Sequence, residues 1–222
     1  MKQAPKHLIT EPRWGFKVLL FLLVASLVVP AYMESGSAHE VSSSLLLSFM
    51  LISSLYLVVY QFRELFIGIG LMIPCLLTLW WHPALPEPWN YNAGYLLYII
   101  FILYISLHIG RYLLETDEID TDMVLAAICV YLLIGLLWAF IYLIIETSTP
   151  GSFALPPNSS EGPNYSLFVY FSYVTLTTLG YGEMTPVSAV AQSWSVMESI
   201  AGQLYLTIVI ARMIGLIISH KK

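Results

Sequence analysis

Seven consecutive residues carry the most chemistry in this chain: Thr177, Thr178, Leu179, Gly180, Tyr181, Gly182 and Glu183. None is a nucleophile activated by a neighbouring base, and none belongs to a metal-ligand cluster of His, Cys, Asp or Glu. What the stretch offers is backbone oxygen. A dehydrated cation needs a cage of oxygens to replace its water, and an extended backbone whose carbonyls all point one way supplies a column of them. Gly180 and Gly182 can take the positive-φ conformations that turn successive carbonyls toward one axis. Thr178 adds a hydroxyl at one mouth of the column, and Tyr181 would point away and brace it. One chain supplies only a quarter of each cage, so the motif implies four chains around an axis.

A lone Gly-Tyr-Gly is a turn as often as anything else, so its flanks must decide. Before it, Ser166 to Leu176 is apolar but too short to cross a bilayer. That segment reads as a half-helix with Asn164 or Ser166 as N-cap, and its negative C-terminal end would favour a cation nearby. After it, Pro186 closes a turn and a long apolar helix follows, about Ser188 to Ser219.

The rest of the chain must hold this unit in a membrane. Of its 222 residues 58% are hydrophobic and only 10% charged, which excludes an ordinary soluble domain and predicts an integral membrane protein. Five apolar runs precede the half-helix: about Phe16 to Tyr32, Val41 to Tyr60, Leu65 to Trp81, Tyr91 to Leu114 and Asp122 to Ile145. The first has a basic start and small residues near position 38, which also describes a cleavable signal peptide. We read it as an uncleaved span. Cys75 and Cys129 both fall inside apolar runs, as small buried hydrophobes do.

Lysine and arginine set the orientation. Lys2, Lys6, Arg13, Lys17, Arg63, Arg111, Arg212, Lys221 and Lys222 all fall on one side if six spans are threaded with both termini inside. The segments 33–40, 82–90 and 146–187 contain none. Both termini are then cytoplasmic and the column opens outside. Trp81, Trp89 and Tyr91 fall near the outer interface, as aromatic belts do.

The run Thr178-Leu179-Gly180-Tyr181-Gly182 resembles the selectivity filter of tetrameric potassium channels, usually Thr-Val-Gly-Tyr-Gly. The likeness covers about residues 122–219 and is most specific at the filter. It departs at Leu179 for Val, at Glu183 for Asp, and at Tyr170-Phe171 where many members have paired Trp. The resemblance implies K+ coordination by Thr178, Leu179, Gly180 and Tyr181, and a filter supported by Glu183, Tyr170 and Phe171. It also implies a cavity lined by Thr177, Gln203, Leu206 and Ile210. Gly202 lies where the family often has a hinge glycine in the inner helix, although glycine in membrane helices also serves close packing.

Three further features lie outside the motif. Glu198 is an ionisable group inside a span, which is expensive and usually has a partner. It is either near enough to outer water to stay solvated, or it braces the filter from behind through hydroxyls such as Ser172, Tyr173 or Thr175. The link Glu115 to Asp122 is mostly acidic. It reads as a solvated linker whose Asp120 or Asp122 caps the next helix, or as a cation reservoir or sensor of divalent ions or pH near the inner mouth. Voltage sensors place Arg or Lys at every third position of the fourth span, but here only His108 and Arg111 are basic, one turn apart at its inner end.

The expected fold is an all-α membrane protein with six transmembrane helices, a re-entrant half-helix and a filter, assembled as a fourfold homotetramer. Residues 1–114 form a four-helix scaffold resembling a voltage sensor without its charges, 115–121 an acidic linker, and 122–222 the pore unit. The expected activity is passive, potassium-selective flux with little voltage dependence, in a plasma or bacterial inner membrane. The partners are K+, lipid and identical copies, with no cofactor, no nucleic acid and no enzyme activity. A weakly selective cation channel and a non-conducting membrane scaffold or accessory subunit are the alternatives.

Overall fold

Among the described residues, leucine-rich and isoleucine-rich runs broken by Pro, Gly and polar clusters fold into seven α-helices, with one two-stranded sheet that pairs the segments before and after the half-helix. The computed structural model describes residues 14–32, 37–57, 62–80, 89–116, 119–156 and 164–219. Lys2, Lys6, Arg13, Trp81, Lys221, Lys222 and part of the acidic link lie outside the described residues.

The helices are α1 (Gly15–Val28), α2 (Ser37–Tyr56), α3 (Phe62–Trp80), α4 (Trp89–Glu115), α5 (Thr121–Ser148), α6 (Tyr165–Leu176) and α7 (Ala189–Ser219). The first apolar run is not one α-helix to Tyr32. It ends at Val28 and tightens into a 3-10 turn over Val29–Tyr32. Pro30 explains the change, because it has no N–H to extend the α pattern. Strands β1 (Phe153–Ala154) and β2 (Thr185–Pro186) pair antiparallel and flank the half-helix on either side.

Among the described residues, three helices are long and apolar enough to cross a membrane, in α4, α5 and α7. With 1.5 Å per residue, the 28 residues of α5 and 31 of α7 rise well over the ~30 Å hydrocarbon core. The apolar stretches Gly15–Val28, Val41–Tyr56 and Glu64–Trp80 are shorter. The chain is an integral membrane protein built of helices; the 12 residues of α6 rise only about 18 Å and cannot cross it.

Contacts fix which helix ends lie together. Asn92 at the start of α4 donates to Ser148 at the end of α5, so these helices run antiparallel. Phe16 stacks on Tyr112, bringing the start of α1 to the end of α4. The Tyr104 hydroxyl donates to the Glu64 carbonyl, so α3 starts at that same end. Lys17, Arg63 and Arg111 therefore belong to helix segments at one end of the molecule, opposite the β1–β2 pair, and Arg212 joins them by donating to carbonyls at the end of α4.

Helix α5 lies at the centre of this arrangement and touches α1, α4, α6 and α7. Its Phe140 ring lies nearly parallel to Tyr98 of α4, 4.9 Å away. Helix α7 is different: only one stripe, including Ala191, Ser195, Glu198 and Gly202, is buried against the rest of the chain. The other faces are apolar and open, with Val190, Met197, Ile200, Leu204 and Ile208 exposed.

Candidate functional site

The half-helix α6 is built by its two ends. At its start the Asn164 side chain accepts hydrogen bonds from the N–H groups of Ser166 and Leu167, at 3.0 and 3.4 Å. Two otherwise orphaned donors are thereby satisfied. At its end, Leu179 N–H donates to the Val174 carbonyl and Thr178 N–H to the Thr175 carbonyl, both at 2.9 Å. That pair of bonds is a Schellman motif, and it requires a left-handed residue at Thr178. Glycine normally fills such a place; here threonine does, at φ +59°. A β-branched residue held there costs about 1–3 kcal/mol.

The left-handed turn does not end the order. Gly180 and Gly182 also have positive φ, +61° and +82°, whereas Leu179 and Tyr181 do not. Handedness thus alternates from residue 178 to 182. Backbone that alternates in this way collects its N–H groups on one side and leaves the carbonyls facing the other. All five residues are exposed in the single chain, and a Cβ at Gly180 or Gly182 would meet nothing within 4 Å. The glycines are therefore set by conformation and not by crowding within the chain.

Several contacts hold this strand. Glu183 accepts a hydrogen bond from the Tyr170 hydroxyl at 3.0 Å, linking the strand's far end to α6. Beyond it, Val187 N–H donates to the Ser152 carbonyl at 2.8 Å beside the β1–β2 pair. The turn before β1 is pinned by Glu146, whose carboxylate oxygens accept from Gly151 N–H at 2.8 Å and Phe153 N–H at 3.1 Å. Phe171 is buried and lies within the chain against Tyr142 and Phe153, with ring centroids at 5.0 and 5.3 Å. Tyr170 faces outward, so the two aromatic neighbours divide their work between surface and core.

Glu198 is fully buried and has two partners. Its Oε2 accepts from the Tyr142 hydroxyl of α5 at 2.5 Å, and its Oε1 lies 2.5 Å from Ser172 Oγ of α6. Of the hydroxyls expected nearby, Ser172 makes this contact, while Tyr173 instead donates to the Leu132 carbonyl at 2.6 Å. Tyr142 was not foreseeable as a partner, being 56 residues distant in a uniformly apolar run. One turn further, a Cβ on Gly202 would lie 2.5 Å from the Leu176 carbonyl oxygen and 2.9 Å from its Cδ1. In this conformation Gly202 is a packing residue that lets α7 approach the end of α6.

Gln203, Leu206 and Ile210 lie on the open part of α7, exposed in the single chain. Thr177 is exposed as well, with its hydroxyl donating to the Tyr173 carbonyl at 2.7 Å. Arg212 lies toward the C-terminal end of α7. It donates to the carbonyls of Leu113, Leu114 and Thr116 at 2.9, 2.6 and 3.0 Å. These are carbonyls at the end of α4, which an α-helix leaves without partners and which favour a nearby positive charge.

The acidic link and the fourth span also find partners. Asp120 caps α5, accepting from Met123 N–H at 2.7 Å. His108 lies 3.6 Å from Glu64, half-buried, and the Tyr104 hydroxyl also reaches the Glu64 carboxylate at 3.2 Å. The sequence pointed to His108 as an interfacial residue; its carboxylate partner comes from α3. Among the described residues no group of three or more His, Cys, Asp and Glu could hold a metal ion.

Residues 126–219 match the model of a family described as ion channel. Protein LctB from Bacillus caldotenax is 28% identical over 100 residues, covering 44% of this chain and 74% of that protein. No solved structure matches the chain. The matched segment begins in α5 and ends with α7, so it contains the half-helix, the alternating strand and the buried carboxylate, and it supports an ion channel built on that unit.

Proposed function

We propose that this chain forms a homotetrameric, potassium-selective channel in which residues 178–182 are the selectivity filter. The observation that carries the reading is the alternation of backbone handedness along Thr178, Leu179, Gly180, Tyr181 and Gly182. A strand of that form turns its carbonyls to one side and presents a row of oxygens suited to a dehydrated K+. The row is open along its length in one chain, as it would be if identical copies completed each cage. The apolar, unburied faces of α7 fit the same assembly, with Gln203, Leu206 and Ile210 toward a central cavity and the remainder toward copies or lipid.

In this reading K+ enters at the end near Glu183, sheds water against the carbonyls of Tyr181, Gly180 and Leu179, and passes the Thr178 hydroxyl into the cavity. The C-terminal end of α6 aims its negative dipole end at that cavity. Six spans with both termini in the cytoplasm put the filter at the outer face. The gathering of Lys17, Arg63, Arg111 and Arg212 at the opposite end supports that orientation. Residues 1–114 form the scaffold around the pore.

Purified protein in liposomes tests the reading, with potassium-driven and sodium-driven flux compared on one preparation and the oligomer mass measured alongside. Potassium flux well above sodium flux from a tetramer is expected. Equal fluxes would leave a weakly selective cation channel, no flux a non-conducting scaffold, and flux from a monomer or dimer would refute the shared filter.

A further inference from the structure

Ser172 has one hydroxyl proton and two close acceptors. Its Oγ lies 2.6 Å from the Gly135 carbonyl oxygen of α5 and 2.5 Å from Glu198 Oε1 of α7. A serine hydroxyl donates once; a carbonyl and an ionised carboxylate only accept. If Ser172 donates to Gly135, its second contact needs a proton from the other side. Tyr142 cannot supply it, because its own hydroxyl proton goes to Glu198 Oε2. The proton that completes the set is one on Glu198 itself.

We propose that Glu198 is a filter-positioning residue that works as a neutral acid: its Oε1–H donates to Ser172, Ser172 donates to Gly135, and Tyr142 donates to Oε2. This deepens the reading of residues 178–182 as a filter and rests on it. Each hydrogen then has one acceptor, and α5, α6 and α7 are joined at one point behind the half-helix. An ionised carboxylate would compete with the Gly135 carbonyl for the single serine proton. It would also be a charge in a site with no solvent exposure, where an unpaired ion is costly. Because Glu198 is already fully buried in one chain, neither water nor a neighbouring copy can touch it. The titratable groups around it are Tyr142 and Tyr131 from α5 and Tyr173 from α6, all acids. Among the described residues no basic side chain pairs with it.

The junction matters because of what it holds. Ser172 lies in the half-helix, two residues before Val174, whose carbonyl accepts the N–H groups of Leu179 and Gly180. Fixing α6 against α5 and α7 therefore fixes the root of the alternating strand. Gln is the neutral isostere: its amide can donate to Ser172 and its carbonyl can accept from Tyr142. Ala leaves both hydroxyls without this partner.

Infrared spectra of the full chain in liposomes at neutral pH read the protonation directly. The expected result is a protonated-carboxyl stretch in the parent that is absent in Glu198→Gln and shifted in Ser172→Ala, which removes its acceptor. Flux supplies the second readout: Glu198→Gln should conduct like the parent, while Glu198→Ala loses about tenfold or more, as loss of two hydrogen bonds implies. A spectrum unchanged by Glu198→Gln would overturn the neutral acid, and a Gln variant as impaired as the Ala variant would overturn its positioning role. If the band behaves as expected while the parent carries no potassium flux, the neutral acid stands and the filter reading falls.

Discussion

The two halves of this chain bury their helices differently. In α1–α5 apolar faces meet within the chain: Phe16, Leu19, Leu23, Phe101, Ile105 and Phe140 are all essentially inaccessible. In α7 a single stripe is buried and the rest stays open. The first region has a core of its own beneath an open apolar outer surface that includes Phe21, Phe49 and Phe66. The second leaves most of α7 uncovered, and its most unusual backbone, residues 178–182, is exposed as well. A threonine held left-handed and two positive-φ glycines lie together where the strand is open to solvent in its own chain.

The comparison breaks most sharply at the strand. Gly180→Ala places a methyl on a positive-φ residue, at a cost of about 1–2 kcal/mol per chain. In a fourfold assembly that cost repeats in every copy. Loss of selective potassium flux is expected with membrane insertion and oligomer mass unchanged. Selectivity that survives Gly180→Ala would mean that the open region is not where ions are sorted.

Packing within α7 provides an internal control. Gly202→Ala drives a Cβ into the Leu176 carbonyl, whereas a Cβ at Gly215 meets nothing within 4 Å in the single chain. Overpacking of that kind costs about 1–3 kcal/mol. Thermal unfolding in detergent should show a clearly lowered midpoint for Gly202→Ala and a small change for Gly215→Ala. Equal effects would contradict Gly202 as a packing residue.

One tie between the two regions is the Arg212 clamp on the end of α4. Hydrogen bonds from a charged group are worth about 1.5–3 kcal/mol, less where solvent reaches them. Arg212→Ala should lower thermal stability modestly, with Arg212→Lys in between, because an ammonium cannot span carbonyls as a planar guanidinium does. A Lys variant no better than Ala would deny that the geometry of the clamp matters.

The smallest expected effect concerns the scaffold. Moving one charge through the whole field is worth about 2.3 kcal/mol per 100 mV. His108 and Arg111 are near the C-terminal end of α4, and His108 faces Glu64 of α3. Conductance should change little with voltage, and Arg111→Gln should leave it so. A steep voltage dependence that flattens in that variant would make the scaffold a sensor.

How much of this was legible follows from how local each feature is. The glycine positions and the helix caps are short-range; the sequence carried the glycines and narrowed each cap to two candidates, of which Asn164 and Asp120 are the ones used. Thr178 was legible as a hydroxyl but not as a left-handed residue, because β-branching argues against that conformation and only the Schellman bonds impose it. The Glu198 carboxyl was visible as a cost. Its Tyr142 partner depends on how α5 rotates against α7, which a uniformly apolar run leaves undetermined. The same holds for His108 with Glu64 and for Arg212 with the end of α4: the charged residue is visible, while its partner lies on another helix.

Thallium(I), a heavy surrogate for K+, offers the most direct measurement of the central claim. In crystals of the assembled protein its anomalous signal should appear as a row of sites on a fourfold axis, between the carbonyls of Thr178, Leu179, Gly180 and Tyr181 from the surrounding copies. Anomalous density absent from that strand, or residues 178–182 lying away from any symmetry axis, would contradict it.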